Sequence, residues 1–453
     1  MDAPSSLRSG WASRIGFILA AAGSAIGLGN IWKFPYIAGM HGGGAFVLVY
    51  LACILLLGLP IMVAELLIGR CGQRDAVGSF VALEGRSSPW RLVGWASVLA
   101  AFVLLAFYSV VAGWSFDYVF KAAIGALHRG TPEQVSSLFS QLTASPWRVL
   151  FWQALFIMAT VGIVIGGIRG GIERWSKILM PGLFALLILL FLYAMFSPGG
   201  PQALRFMFVP DFSRLTSQSV LVALGHAFFT LSLGAGVMIT YGSYLDADAD
   251  LFGLSLRIAF LDTLVAMLAS LTIFSVVFSA GMPIGGGPGL VFETLPILFM
   301  QLPFGQLWAL VFFLLLAFAA LTSAISMLEV VVAYVIDECQ WQRSHATFLV
   351  GVSAFALGIP CALSFNLWSG ITLLPGRTVF QSFDLLVSSY MLPLGGLLVA
   401  VYAGWVWSAN QEKGALVNLR QPTLLFGVWH FLVRYFAPVA VLLVLLHEAG
   451  LFR

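Results

Sequence analysis

Charged side chains are what this 453-residue chain has least of: 22 Lys and Arg with 19 Asp and Glu make up 9% of it. A soluble domain carries about 25%. With 60% hydrophobic residues and a mean hydropathy of +0.99, the chain lacks the polar surface a soluble globule needs. That excludes a soluble enzyme, a disordered chain, a secreted disulfide scaffold and a nucleic-acid binder, and leaves a polytopic membrane protein in a lipid bilayer. The net charge of +3 is too small to mark a polyanionic partner. Cysteine is scarce too. Cys53, Cys71, Cys339 and Cys361 have no metal-ligand spacing and read as free packing residues. There is no H-E-x-x-H, no G-x-S-x-G and no cluster of His, so membrane-embedded enzyme chemistry has no motif to stand on. No low-complexity stretch or long linker divides the chain, which reads as one domain over 1–453, and nothing in it marks an obligatory protein partner.

What is present is long apolar runs and 47 glycines. A bilayer core of about 30 Å needs about 20 apolar residues per helix. Eleven stretches qualify, near 15–36, 44–69, 90–124, 148–168, 177–197, 219–243, 255–281, 307–337, 346–366, 382–407 and 424–447. The first is too long for a cleaved signal peptide and carries Asn30 and Lys33. With the N-terminus inside, the inner segments hold Arg8, Arg14, Arg70, Arg74, Arg86, Arg91, Arg169, Arg174, Lys177, Arg343, Lys413 and Arg420. The outer loops hold fewer, so the expected orientation is N-terminus cytoplasmic and C-terminus outside, in the cell inner (plasma) membrane.

Two spans are interrupted at mid-membrane. The first holds Gly23-Ser24-Ala25-Ile26-Gly27-Leu28-Gly29-Asn30; the sixth holds Phe228-Phe229-Thr230-Leu231-Ser232-Leu233-Gly234-Ala235-Gly236. Each Gly costs a helix about 1 kcal/mol relative to Ala. Gly23 and Gly27 alone would also suit close helix packing as a G-x-x-x-G pair. The two breaks, however, open two five-helix halves, and breaks in corresponding positions point to a transporter binding site. Unwound backbone leaves carbonyls free for a cation, while half-helix N-termini offer N–H groups to an anion. Lipid tolerates such backbone only where it lines a cavity.

These residues resemble a known family. Trp11-Ala12-Ser13-Arg14 with Gly23 to Asn30 and Ile31-Trp32-Lys33-Phe34-Pro35 looks like the first helix of the neurotransmitter:sodium symporters. The likeness runs on through Gly42-Gly43-Gly44-Ala45-Phe46, Gly58-Leu59-Pro60, Glu65, Gly69-Arg70, Gly171-Ile172-Glu173-Arg174 before Pro181, Phe228 to Gly234, Gly287 to Phe292, Leu321-Thr322-Ser323 and the Asp337 segment. It implies an all-α integral membrane fold of eleven transmembrane helices. It implies too the leucine-transporter-like 5+5 inverted repeat with helices 1 and 6 unwound. Repeat one would cover about 12–200, repeat two about 215–410 and the extra helix about 424–450.

The resemblance also implies the sites. One Na⁺ would take backbone oxygens of Gly23, Ile26 and Ala319 with the Thr322 and Ser323 hydroxyls. A second would take the Ala25 carbonyl, Asn30, Thr230 and Asp262. Hard oxygens suit Na⁺. Asp262 is a carboxylate where the best-studied relative has an amide, and Ala266 replaces the polar residue that helps chloride-dependent relatives bind Cl⁻. A fixed negative charge beside Na⁺ can do the electrostatic work of the anion. The expectation is two Na⁺ and no Cl⁻ requirement.

Monoamine carriers of this family place an Asp after the residue equivalent to Ile26; here it is Gly27. The substrate must then bring its own carboxylate, which points to an amino acid. The carboxylate would meet the Leu28 and Gly29 N–H groups and Tyr108. The amine would meet carbonyls of Ala25, Phe229 and Thr230 with the Ser232 hydroxyl. The side-chain pocket would be Leu104, Tyr108, Phe229, Ala235, Ser323 and Met327, all uncharged, which suits a large aliphatic or aromatic side chain. The outer gate would use Lys33, with Asp384 in place of the acid missing at Val387. An inner latch would join Arg8 and Trp11 to Asp337, supported by Tyr244. His226 reads as a neutral hydrogen-bonder, Glu65 as a cap for the unwound first helix, and Glu329 as an intramembrane acid without an assigned role. Gly171 and Pro181 frame a stretch that could unwind to wet the Thr322/Ser323 site. The rival readings are a proton-driven amino-acid symporter and a non-transporting amino-acid sensor on the same fold.

Overall fold

The computed structural model describes residues 10–128, 130–281, 290–407, 423–448 and 450. Its helices are α1 Arg14–Ala25, α2 Gly29–Met40, α3 Gly44–Gly72, α4 Ala76–Glu84, α5 Arg91–Ala123, α6 Pro132–Ala144, α7 Pro146–Val164, α8 Ile168–Met195 and α9 Gly200–Phe208. The second half has α10 Ser217–Thr230, α11 Val237–Gly242, α12 Leu251–Ser279, α13 Val291–Gln301, α14 Gly305–Cys339, α15 Arg343–Leu363, α16 Val379–Val406 and α17 Leu424–Glu448. A small antiparallel hairpin, Thr372–Leu374 with Arg377–Thr378, is the strand structure among the described residues.

Local chemistry sets the helix starts. Ser13 caps α1 by accepting from the Gly16 N–H at 3.0 Å. Thr131 with Gln134 and Thr216 with Ser219 form capping boxes at α6 and α10. Asp75 caps α4, and Asp250 caps α12.

Nine described helices are long and apolar enough to cross a bilayer, and α1 with α2, bent by 50° at their break, makes ten. The span expected near 219–243 is present as α10 and α11, two short helices separated by a turn over 231–236. Neither half reaches membrane-spanning length alone, which is why a count by length returns ten rather than eleven.

The most enclosed spans are α5 and α14: 83% and 78% of their most apolar windows are buried, against 28% for α17. These two pack against each other most extensively, and α1 lies against α14. Glycines allow the closest approaches. A Cβ on Gly69 of α3 would strike the Ile239 carbonyl of α11, and one on Gly242 would lie 2.7 Å from the Leu66 carbonyl. Small residues at such crossings let backbones touch, since lipid tails supply no hydrophobic drive between helices. The result places both helix breaks beside the α5–α14 core.

Candidate functional site

The first break falls where the sequence loses side chains. α1 ends at Ala25, Ile26 turns extended, and the helix resumes at Gly29 as a wider π turn. The Ile26 N–H still bonds the Ala22 carbonyl at 2.7 Å. The next carbonyls turn toward α14. The Ser323 hydroxyl lies 3.3 Å from the Gly23 oxygen, 3.1 Å from that of Ser24 and 3.5 Å from that of Ile26. Thr322 bonds back to its own helix, 3.0 Å to the Ala319 carbonyl and 3.1 Å to that of Phe318. A Cβ on Gly23 would lie 3.0 Å from both Thr322 Cβ and Met180 Sδ, so Thr322 and α8 press on the same point of the break. Ser323 thus meets the carbonyls of Gly23 and Ile26, while Thr322 stands beside Gly23 with its hydroxyl on the Ala319 carbonyl.

The second set centres on Asp262, which is fully buried on α12. Its Oδ1 accepts from Asn30 Nδ2 at 2.7 Å and from Thr230 Oγ1 at 3.0 Å; Oδ2 accepts from the Tyr50 hydroxyl at 3.2 Å. Asn30 Oδ1 in turn accepts from the Gly27 N–H at 3.1 Å. Four elements therefore meet at one carboxylate. A fully buried carboxyl group is tolerable only when hydrogen-bonded like this. No residue lies within a formal ion pair of Asp262 among the described residues.

Between the two sets lies Gly27. A Cβ there would fall 2.5 Å from Ser323 Oγ and 3.1 Å from the Tyr108 hydroxyl. A side chain there would have to displace the Ser323 hydroxyl. The Leu28 N–H points to the Tyr108 hydroxyl at 3.4 Å, and the Phe229 ring closes on Gly29, 3.1 Å from where its Cβ would stand. Ser232 sits in the left-handed region at φ 54°, and its hydroxyl donates to the Ser24 carbonyl at 3.1 Å, tying the second break to the first. Leu104, Ala235 and Met327 are buried in the same core.

Above Tyr108 and Phe229 is a cavity of about 500 Å³ lined by Trp32, Lys33, Tyr36, Phe107, Phe380 and Asp384 among others. Lys33 Nζ lies over the Phe229 ring, 4.4 Å from its centroid, and 4.0 Å from Asp384 Oδ1. At the other end Trp11 is wedged edge-on against Phe17, Tyr241 and Tyr244, and its Nε1 donates to the Tyr241 carbonyl at 3.2 Å. Asp337 accepts the Asp75 N–H at 2.8 Å. Arg8 lies outside the described residues. Burial first, and then the Asp337 carboxylate, push Asp75 up to about 7.

Two expectations from the sequence are corrected, and one acid gains a role. Glu65 caps the second break rather than the first: its Oε1 accepts the Gly234 N–H at 2.7 Å. The reason is packing, because α3 lies against α11. His226 has no hydrogen-bond partner at either ring nitrogen. It stacks instead with Phe34 at 5.6 Å and lies 5.7 Å from Tyr50 and 6.4 Å from Phe229. Tyr244 donates to Glu329 Oε1 at 3.0 Å, and Arg343 forks onto both Glu329 oxygens, which gives the unassigned acid its partners.

Sequence reasoning missed Ser24 and Ser326, whose hydroxyls meet at 2.6 Å between the breaks, and Tyr50 on Asp262. The one signal available for Ser24 was its place inside the Gly-rich interruption. Ser326 and Tyr50 gave none, since isolated hydroxyls on apolar helices usually bond their own backbone.

The model of the sodium:neurotransmitter symporter family matches residues 8–134 and 133–452. A sodium-dependent transporter of Bacillus subtilis, YhdH, is 41% identical over 97% of this chain and 98% of its own length. A sodium-dependent transporter of Haemophilus influenzae is 34% identical over 96% of this chain and 97% of its own. Among solved structures, MhsT in complex with L-phenylalanine superposes with a TM-score of 0.91 at 45% identity, covering 97% of this chain and all of that one.

Proposed function

The chain belongs to the sodium:neurotransmitter symporter family and is a sodium-dependent membrane transporter, and from that premise we propose that it imports a hydrophobic amino acid with two Na⁺, independently of Cl⁻. Gly27 carries the substrate reading. With no acid at that position, the substrate supplies the carboxylate itself. That group would sit against the Leu28 and Gly29 N–H groups and the Tyr108 hydroxyl. The amine would face the Ala25, Phe229 and Thr230 carbonyls and Ser232. The uncharged set Leu104, Tyr108, Phe229, Ala235, Ser323 and Met327 would hold an apolar side chain. The similarity to a protein crystallised with L-phenylalanine agrees with this class.

In this reading Gly23, Ile26, Ala319, Thr322 and Ser323 bind one Na⁺. Ala25, Asn30, Thr230 and Asp262 bind the other, with Asp262 doing electrostatically what Cl⁻ does elsewhere. Lys33 with Asp384 would close the outside. Trp11 with Asp337 and Tyr244, and with Arg8 beyond the described residues, would close the inside. The α1 N-terminal end would face the cytoplasm from the inner (plasma) membrane. Each Na⁺ contributes about 2.3 kcal/mol per 100 mV and about 1.4 kcal/mol per tenfold gradient. Two ions supply roughly 7 kcal/mol, enough for an amino-acid gradient on the order of 10⁵.

The test is uptake of a labelled amino-acid panel into proteoliposomes under an inward Na⁺ gradient against K⁺. Saturable Na⁺-dependent uptake of aliphatic or aromatic amino acids supports the proposal. Uptake confined to charged or amine-only substrates overturns the substrate class. Binding without uptake by intact protein would favour a sensor.

A further inference from the structure

On the membrane-facing side of the α5–α14 core, at the end of the bundle that carries the α1 N-terminus, α5, α14 and α15 enclose an open groove of about 430 Å³. Trp95 and Leu99 of α5 and Leu349 of α15 line it and stand 45%, 54% and 47% exposed. Its floor is the Trp95 ring packed 4.6 Å from that of Tyr334 on α14. An exposed apolar surface of this size at membrane depth faces hydrocarbon, and a groove in it holds a chain more closely than a flat helix face does.

The order of side chains along α5 names the occupant. Arg91, Trp95 and Leu99 are four residues apart on one exposed face, so a guanidinium, an indole and an aliphatic group follow one another from the interface inward. That is the sequence of phosphate, interfacial backbone and acyl chain in a phospholipid, with the aromatic ring at headgroup depth. The group at the mouth on the α5 face is the Arg91 guanidinium. Arg91 donates to the Arg86 carbonyl at 3.1 Å and has no carboxylate partner among the described ion pairs. Nearby Glu338, four residues after Tyr334, is neutralised by Arg74 at 2.9 Å. Glu84 accepts from Tyr402. Arg86 and Arg91 are the exposed cations at the α5 end of the groove, with His345 one turn before Leu349.

We propose that this groove seats an acyl chain of an anionic phospholipid, with Arg91 holding its phosphate. The seated chain fills the cleft between the inner ends of α5 and α14, the pair on which the core is built. The claim does not depend on which substrate or ion the protein carries, and its test is a lipid measurement.

The purified full-length protein, extracted from phosphatidylglycerol–phosphatidylcholine mixtures, is examined by native mass spectrometry. One retained phosphatidylglycerol per chain is expected, falling about fivefold in Arg91→Gln, the equivalent of the ~1 kcal/mol one basic residue adds near an anionic surface. Arg91→Lys should retain it. Leu99→Phe with Leu349→Phe, which fills the groove and leaves Arg91 in place, should lose it. Phosphatidylglycerol with brominated acyl chains should quench the wild-type fluorescence more than that of Trp95→Phe. Equal retention of the two lipids, or retention unchanged in Arg91→Gln, overturns the proposal. So does retention in the groove-filled variant, because Arg91 would then recruit lipid at the surface alone.

Discussion

Lys33 Nζ stands 4.0 Å from Asp384 Oδ1 while resting on the Phe229 ring. The two side chains are 27% and 44% exposed, so the pair is screened and weak, on the order of 0.2–1 kcal/mol. If it closes the outside, Asp384→Asn should raise the KM for the amino acid about two- to fivefold. Lys33→Gln should cost more, because it also loses the ring contact. The exchange Lys33→Asp/Asp384→Lys should recover the ion-pair share and not the ring share. A wild-type KM in Asp384→Asn would remove this pair from the gate.

Asp262 holds Asn30, Thr230 and Tyr50 at once. Asp262→Asn keeps the shape and removes the charge. The apparent Na⁺ affinity should fall about tenfold, or ~1.4 kcal/mol, with Asn30 and Thr230 still partly satisfied. Wild-type uptake should be unchanged when gluconate replaces chloride, whereas the Asn variant should lose activity in gluconate. Chloride dependence of the wild type would refute the substitution of carboxylate for anion.

At the other ion set the test is steric. Gly23→Ala puts a methyl 3.0 Å from both Met180 Sδ and Thr322 Cβ. Half-saturation by Na⁺ should rise severalfold, with little change in amino-acid KM at saturating Na⁺. Met180→Ala opens the space, so the double variant should regain most of the Na⁺ affinity. No recovery in the double variant would mean that the break itself, not α8, is disturbed.

Glu65 and Gly234 give a stability test. Glu65→Ala strands a buried N–H, at a cost of about 1–3 kcal/mol. Glu65→Gln still offers an acceptor. Thermal unfolding in detergent should show a clear loss for Ala and a small one for Gln. Equal losses would mean that the charge, rather than the cap, is what α11 requires.

Asp75 lies between α3 and α4, outside the spans, buried and beside the Asp337 carboxylate, which hold it up at about 7 against an ordinary 3.8. An acid raised on folding favours the protonated protein. Between these values the folded chain keeps a proton that the unfolded chain has lost. Stability at this site therefore rises as pH falls from 8 toward 5, and declines as pH rises through 7. Asp75→Asn still accepts from Val77 and Gly78 and should flatten that slope, by on the order of 1 kcal/mol per pH unit. Parallel pH–stability curves for the two proteins would exclude Asp75 as its source.

Much of this architecture was written along the chain. Apolar run length located most spans to within a few residues, because the bilayer thickness sets helix length; α8 is the exception, starting at Ile168 rather than near 177, because its first turns run through the Gly- and charge-rich 169–174. Glycine density located both breaks, because each Gly weakens the helix there. Partners across the core were a different matter. The sequence placed Asn30, Thr230 and Asp262 on three separate helices, and nothing in their spacing shows that Tyr50 joins them. Glu65 sits on a helix close in sequence to the first break, yet its cap goes to the second, since α3 packs on α11. His226 carries polar atoms that imply hydrogen bonds, but the fold surrounds it with Phe34, Tyr50 and Phe229. The Lys33–Asp384 approach needs α2 and α16 side by side, which neither segment encodes alone.

Read alone, the residues fix that this chain lives in a membrane, where it spans it, where it unwinds, and that position 27 offers no charge. Those properties follow from local composition and from the energy of leaving backbone unpaired in lipid. Which hydroxyls meet which carbonyls is settled by the packing of the helices. Hydrogen bonding acts over about 3 Å, and contacts at that range between residues some 300 positions apart are fixed by how helices cross, not by what precedes or follows them.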